Sequence, residues 1–262
     1  MSSNQYLQSI LQKYKCRDLN NYIVSIVELK TLLKEWASSC FIETKNSGSR
    51  AKWTAINRAS DVDYFVSLSS WCNENNGWLS SIYDSLFDKL NSVQKYKPVR
   101  KQNVSFRIKL GDLEVDITPW RKQPWNTNNH SIYVSKKWTW QQTNIDKHIS
   151  DISTSWRTDE IKLLKIWREL TWLDFPSIYM EYLIVQVILY NKAKCVDNLA
   201  DNMWYIFWEL EKNTWNPLYT RIIDPANSSN ILSDLLTDTE KNIIISKART
   251  ARTKKNWSEI LY

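Results

Sequence analysis

The chain has 262 residues, 43% of them hydrophobic and 24% charged, which is typical of a soluble globular protein with one large domain or two smaller ones. Its apolar stretches are too short to span a bilayer and its N-terminus does not resemble a signal peptide, so we expect a cytoplasmic protein that is not in a membrane. The net charge of +7 favours an anionic ligand such as a nucleotide, RNA or a phosphorylated metabolite.

The first half of the sequence mixes helical and strand periodicities. Residues 4–38 show helical spacing, with one long amphipathic face over 23–36. The next segments predict a strand at 40–44, a short helix after Gly48, a strand at 61–68, a helix at 79–93, strands at 104–108 and 113–118 around a turn at Gly111, and a short strand at 130–134.

From about residue 144 the periodicity is helical. The main predicted helices are 158–170, 177–192, 199–212 and 237–252. Strands followed by helices predict an α+β protein. We expect an N-terminal helix and a catalytic core in residues 1–150, a helical domain in residues 151–262, and a cleft between them.

Glycine and tryptophan depart together from their usual abundance. A chain of this length should contain roughly 18 glycines, but it contains 3, whereas tryptophan occurs 15 times. Many tryptophans also stand where a turn favours glycine, which alone reaches positive φ without steric cost. These include Trp53, Trp120, Trp125, Trp138, Trp156 and Trp215. We hypothesise that many are glycines in the native organism, encoded by a UGA codon read as glycine; the alternative is a tryptophan-rich protein.

The four cysteines give no pattern of their own. They lie too far apart for a CxxC metal site and show no spacing typical of a disulfide framework. This usage indicates reduced thiols.

Three aspartates are the candidate catalytic residues. Asp61 and Asp63 stand two residues apart on a predicted strand, so both carboxylates project from one face. Asp116 alternates with apolar residues on a later strand and shares its polar face with Glu114. Three converging carboxylates would repel one another unless cations joined them, and oxygen ligands suit Mg²⁺. The alternative is that these are ordinary surface acids.

A candidate phosphate site precedes the aspartates. Gly48 and Ser49 at a helix start offer backbone N–H groups and a hydroxyl to a triphosphate, and Arg50 and Lys52 add positive charge. Gly-Ser and Asp-x-Asp are individually common. Gly-Ser, then eleven residues, then Asp-x-Asp on an apolar strand, then a third aspartate on a later strand, together form a specific combination.

This combination resembles the nucleotidyltransferase fold of DNA polymerase β, and specifically the branch of oligoadenylate synthetase and cyclic GMP–AMP synthase. The bacterial CD-NTases look most similar. The resemblance covers about residues 36–260 and implies a mixed sheet with flanking helices plus a C-terminal helical domain. In the family pattern, Trp53 occupies a glycine position, which also supports the codon hypothesis.

The resemblance implies further nucleotide-binding residues. Lys165 matches the lysine of a helical Lys-x-Trp segment that meets the donor triphosphate, and Ser177 and Tyr179 match the start of the next helix, where the tyrosine lies near the donor base. For Lys165 a solvated helix lysine, and for Tyr179 simple core packing, are the alternatives.

The resemblance also implies the chemistry. Two Mg²⁺ or Mn²⁺ ions held by the three aspartates would serve template-independent transfer between ATP and other NTPs, giving a cyclic di- or trinucleotide for bacterial anti-phage signalling. A linear-oligonucleotide or tRNA-terminal nucleotidyltransferase, and a catalytically silent nucleotide- or RNA-binding module, remain alternatives. We expect a monomer or weak oligomer, with a regulatory partner or effector encoded nearby.

Overall fold

The computed structural model describes residues 1–57, 62–72, 78–125, 127–192 and 196–262. Two compact units are present. We call the one formed by Met1–Arg17, Lys52–Ala59 and Ser150–Tyr262 the helical unit, and the one formed by Asp18–Ala51 and Ser60–Ile149 the sheet unit. The α+β class predicted from the sequence is confirmed. Two segments that we predicted for the N-terminal domain, Met1–Arg17 and Lys52–Ala59, belong to the helical unit. The first of them does so because the apolar face of its helix packs into the helical core.

The sheet unit contains a mixed sheet. In the described residues its strand order is β1-β2-β5-β4-β3, and β6 pairs with both β5 and β7. The pairing of β2 with β5 is parallel, and the other pairings are antiparallel. The strands are β1 (Phe41–Ser47), β2 (Val62–Leu68), β3 (Arg100–Lys101), β4 (Phe106–Leu110), β5 (Leu113–Lys122), β6 (His130–Val134) and β7 (Thr139–Thr143). The edge strand β7 was not among the predicted strands, because its sequence lacks regular apolar alternation.

Helices cover one face of this sheet. They are α2 (Ile23–Ala37) and α4 (Leu79–Asn91), whereas the short α3 (Gly48–Ala51) begins against Asp63, which projects from the opposite face. The apolar stripes of α2 and α4 share one buried core with the inward residues of β2, β4 and β5. On the opposite face, Phe65 of β2 and Trp120 of β5 pack in a smaller apolar cluster with residues of β6, and Asp63 and Asp116 project from that same face.

The predicted helical stretch 4–38 is two helices. The first, α1 (Ser3–Lys13), is separated by nine residues from α2, which begins at Ile23. Between them the Asp18 carboxylate accepts hydrogen bonds from the backbone N–H of Asn20, at 3.1 Å, and from its side chain. Such local side-chain bonds compete with helical hydrogen bonding, which explains the break.

The helical unit is built around a separate core. Besides α1 it contains α6 (Thr158–Thr171), α7 (Ser177–Tyr182), α8 (Leu199–Leu210), α9 (Asp238–Arg252) and a hairpin of β8 (Ile223–Asp224) and β9 (Asn227–Ile231), while α5 (Ile145–Ser153) leads into it. Leu164, Trp167, Phe207 and Ile244 are fully or nearly fully buried in its core. None of the helices in the described ranges has the length and apolar character needed to cross a membrane.

The structure corrects the cysteine prediction. Cys40 and Cys72 form a disulfide, with their Cα atoms 5.2 Å apart. Because Phe41 at the start of β1 lies opposite Leu68 at the end of β2, the two cysteines meet although 32 positions separate them in sequence. Cys16 takes no part in a disulfide, and Cys195 lies outside the described residues.

Tryptophans dominate the left-handed backbone positions. Seven non-glycine residues in the described part of the chain have positive φ, and six of them are tryptophans. They are Trp53 (62°), Trp125 (77°), Trp138 (50°), Trp156 (61°), Trp172 (57°) and Trp215 (55°). All six side chains are exposed, by 71–97%. An L-residue pays a steric penalty in this region, and glycine does not.

Other tryptophans behave as ordinary core residues. Trp120, which we expected to replace a glycine, lies in β5 and packs edge-on against Phe65 with ring centroids 4.6 Å apart. Trp167 and Trp257 are buried in the helical core. The sign of φ therefore divides the tryptophans into two groups. Trp120 does not have positive φ, so it does not belong with the six tryptophans at positions that favour glycine.

Candidate active site

A row of polar residues crosses the sheet. Ser47 in β1 is paired with Asp63 in β2, Asp63 with Asp116 in β5, Asp116 with Arg107 in β4, and Arg107 with Arg100 in β3. Residues paired in register on neighbouring strands project from the same face, and neighbouring strands lie about 4.8 Å apart. We call these five residues the polar row. The row brings together two of the three predicted carboxylates; Asp61 lies outside the described residues.

The Gly48 backbone is fitted against Asp63. Gly48 has φ +60°, and a Cβ atom placed on it would overlap the Asp63 carboxylate. Glycine is required here twice, by its backbone conformation and by the space that the carboxylate takes. Ser49 and Arg50 follow in α3 and are half-buried. The Gly-Ser segment and the Asp-x-Asp strand predicted as parts of one site are therefore in contact through Gly48 and Asp63.

Asp116 is held by an arginine across the β4–β5 hairpin. The Arg107 guanidinium donates through Nε to Asp116 Oδ1 at 2.8 Å and through Nη2 to Oδ2 at 2.7 Å. Its Nη1 donates to Glu114 at 2.8 Å, and the Gln102 amide donates to Asp116 at 3.3 Å. A bidentate pair of this kind fixes the orientation of the carboxylate. Glu114 is a partner of Arg107.

Two residues of the polar row carry the ligand atoms that divalent cations prefer. Asp63 and Asp116 offer carboxylate oxygens at one register position, and oxygen ligands suit Mg²⁺ and Mn²⁺. Within the described ranges, no group of three or more His, Cys, Asp or Glu side chains is arranged for metal binding. The third predicted ligand, Asp61, precedes β2 in the chain and is outside those ranges. The residues present fit a cation that is held by few protein ligands.

A second ionic group lies inside the helical unit. The Glu181 carboxylate is completely buried and accepts hydrogen bonds from Lys165 Nζ at 2.7 Å, Thr54 Oγ1 at 3.0 Å and Lys52 Nζ. Lys165 Nζ also donates to Thr54 Oγ1 at 2.8 Å. We call these four residues the buried cluster. It joins α6, α7 and the segment after α3.

The two lysines of the buried cluster keep its carboxylate ionised. Burial alone would raise the pKa of Glu181, but Lys52 and Lys165 lower this pKa to about 2. Burial also lowers the pKa of Lys165, against the opposing charge of Glu181. A buried carboxylate with two cationic partners stays ionised at neutral pH.

The remaining nucleotide-binding predictions fall in the helical unit. Lys52 and Lys165 are directed to Glu181 rather than to solvent, so their predicted phosphate contacts stay predictions. Tyr179 is fully buried and donates to the Leu218 carbonyl at 2.8 Å. Its ring is therefore a core element that offers no face to a base in this structure. Ser177, the first residue of α7, accepts a hydrogen bond from Arg168 at 2.9 Å.

Sequence reasoning missed Arg107 and Glu181. The signal for Arg107 was present, because a tight turn at Gly111 sets Leu110 opposite Leu113 and therefore Arg107 opposite Asp116. The signal for Glu181 was a lone acid in the apolar run of α7. A buried acid needs a basic partner, but the sequence does not say which lysine supplies it.

The sequence also matches a known family over more than half its length. Residues 1–155 match the family model of the Second Messenger Oligonucleotide or Dinucleotide Synthetase domain. The chain belongs to this family. The predicted membership of the CD-NTases is thereby confirmed, and with it the assignment as a nucleotidyltransferase. No curated protein sequence matches the chain.

Solved CD-NTase structures share the fold. The E. coli MS115-1 CdnC in its complex with HORMA-deltaN has a TM-score of 0.72 at 20% identity, over 96% of this chain and 90% of that chain. The Bradyrhizobium diazoefficiens CdnG in complex with GTP has a TM-score of 0.73 at 11% identity, over 97% and 90%. The Elizabethkingia meningoseptica CdnE cyclic dinucleotide synthase with GTP and Apcpp has a TM-score of 0.62 at 13% identity, over 100% of both.

Proposed function

We propose that this CD-NTase joins NTPs, ATP among them, into a cyclic di- or trinucleotide, with Asp63 and Asp116 as catalytic residues. In each step a ribose hydroxyl oxygen bonds to the α-phosphorus of a 5′-triphosphate, the bond from that phosphorus to the β-phosphate oxygen breaks, and pyrophosphate leaves. The triphosphate belongs to an incoming NTP during chain growth and to the linear intermediate itself at ring closure. The observation that supports the proposal is the pairing of Asp63 with Asp116 on neighbouring parallel strands, beside Gly48.

We assign a role to each of the predicted site residues. Asp63 and Asp116, with Asp61, would hold two Mg²⁺ ions, which supply charge stabilisation for the entering and departing oxygens. Asp116 is the residue we assign to receive the proton of the attacking hydroxyl. Ser49, next to the Gly48 contact with Asp63, is assigned to the donor triphosphate.

We place the reaction in the cytoplasm, where NTPs and Mg²⁺ are available, and its product in bacterial anti-phage signalling. The complex of CdnC with HORMA-deltaN supports a regulatory protein partner for this enzyme as well. A gene for such a partner or for an effector beside this one is the expected genomic signature. Neighbouring genes that serve RNA processing alone would count against the signalling role.

The test is product analysis with labelled NTPs. The purified protein is incubated with each NTP and with mixtures, in Mg²⁺ or Mn²⁺, and the product is treated with phosphatase. A cyclic product keeps its label because it has no terminal phosphate. A linear product loses its terminal label, which would favour an oligonucleotide or tRNA-terminal nucleotidyltransferase. No pyrophosphate under any condition would favour a silent binding module.

A further inference from the structure

We infer that Arg107 is a built-in counter-ion of Asp116. To bind at the Asp116 carboxylate, a divalent cation must first displace Arg107 from it. This inference rests on the proposed function, because it concerns the cation that Asp116 would hold. Arg107 would then be a positioning residue that keeps Asp116 aimed along the polar row and sets the cation concentration at which the site fills.

The contacts of Asp116 explain why the Arg107 guanidinium and a divalent cation would compete for its carboxylate. Arg107 engages both oxygens of Asp116, and Gln102 donates to Oδ1 as well. A carboxylate has about four lone-pair positions, and the guanidinium places a full positive charge beside them. A cation at Asp116 would meet this charge at short range, where repulsion in a partly buried site is strong. The Asp116 side chain is 12% exposed, so water screens the pair weakly.

The same strand supplies a matched comparison. Lys109 lies two residues from Arg107 on β4, on the same polar face, and carries the same charge. Its ammonium is 3.9 Å from Glu114, and its side chain is 56% exposed. Neutralising Lys109 changes the net charge of the strand without removing a bidentate partner of Asp116.

The test is a titration of the protein with Mn²⁺ alone, in which electron paramagnetic resonance measures the concentration of free Mn²⁺. This measurement of affinity requires no catalytic turnover. We expect Arg107→Gln to bind Mn²⁺ about tenfold more tightly than the unchanged chain, since charge-assisted hydrogen bonds no longer compete. We expect Lys109→Gln to differ from the unchanged chain by less than about twofold. In an Asp116→Asn background, Arg107→Gln should change Mn²⁺ affinity very little.

The outcomes separate the inference from the proposed function. Should Asp116→Asn leave Mn²⁺ affinity unchanged, the cation site of the proposed function is wrong, and the inference falls with it. Should Asp116→Asn weaken binding while Arg107→Gln matches Lys109→Gln, only the inference is wrong. Adding Glu114→Gln to Arg107→Gln should preserve the gain. Loss of the gain would assign it to the released Glu114 carboxylate and would also overturn the inference.

Backbone geometry carries a second inference, independent of the first. We propose that Trp53, Trp125, Trp138, Trp156, Trp172 and Trp215 are glycines in the protein that the organism makes. Composition already shows a deficit of glycine and an excess of tryptophan. In the structure these six have left-handed backbones and exposed indoles. A tryptophan at such a position destabilises the fold through its backbone conformation, and burial of its side chain does not offset this.

The test compares two sets of glycine substitutions by thermal unfolding. Replacing the six exposed tryptophans together should raise Tm by at least about 5 °C, because each relieves left-handed strain. Replacing Trp36, Trp167 and Trp257 should lower Tm, since their backbones are not left-handed and two of them are buried. A fall of Tm in the first set, UGG codons at these six positions, or tryptophan there in the mass spectrum of the native protein would overturn the proposal.

Discussion

The polar row and the buried cluster contain the same kinds of side chain but organise them differently. In the row, Asp63 and Asp116 come from neighbouring strands, and Arg107 is a partner that a cation could replace. In the cluster, Glu181 has no exposure and is neutralised by two lysines of its own unit. A closed set of charges stabilises a fold, whereas a set with a replaceable partner can accept a ligand. The predictions below test this difference.

The largest effect should come from the carboxylates of the row. Asp63→Asn and Asp116→Asn should each lower the rate of pyrophosphate release by about 10³-fold or more, because each removes a proposed metal ligand. Glu114→Gln, on the same strand, should retain activity within about tenfold, since Glu114 contacts Arg107 and Lys109. Equal losses of activity for Glu114→Gln and Asp116→Asn would show that any substitution in this strand impairs the protein, and would contradict a specific role for Asp116.

Breaking the cluster should affect stability first. Glu181→Gln leaves two buried lysines without their carboxylate and should lower the free energy of unfolding by about 3–5 kcal/mol. The control is Glu169→Gln, which removes a half-exposed partner of Arg168 and should cost under about 1 kcal/mol. Urea denaturation of the three proteins measures the difference. Similar midpoints for the two variants would contradict a buried, fully paired Glu181.

The pH dependence of stability should show the same carboxylate. The pKa of Glu181 is lowered from 4.5 to about 2 in the folded state, so its contribution is complete above pH 4.5 and is lost as pH falls towards 2. Over that window the unchanged chain should lose on the order of 3 kcal/mol more than Glu181→Gln. Unfolding curves at stepwise pH measure this, and parallel curves for the two proteins would rule out the assignment.

A pair of glycine substitutions separates strain from site geometry. Gly48→Ala and Gly111→Ala both place a side chain at positive φ, but only the first would overlap Asp63, whereas the second has its nearest neighbour at 4.0 Å. We expect both to cost about 1–2 kcal/mol of stability. Only Gly48→Ala should also lower kcat, by about 10²-fold, because it displaces the Asp63 carboxylate that we propose to be catalytic. Equal activity of the two variants would mean that the Gly48 contact has no catalytic importance.

Sequence periodicity predicted those strands and helices in which apolar and polar residues recur regularly. The strands at β2, β5 and β6 and the helix at α6 lie close to their predicted positions, because one face of each is apolar. The approach of Gly48 to Asp63 followed from motif spacing. The disulfide of Cys40 with Cys72 and the cluster around Glu181 depend on which distant segments pack together, and local patterns carry no information on that.

Anomalous diffraction from crystals of the chain grown with Mn²⁺ and a non-hydrolysable NTP would locate the cation directly. We expect Mn²⁺ at about 2.1 Å from carboxylate oxygens of both Asp63 and Asp116, with Arg107 turned away from Asp116. Mn²⁺ bound elsewhere in an active enzyme, with the Arg107–Asp116 pair intact, would contradict this expectation.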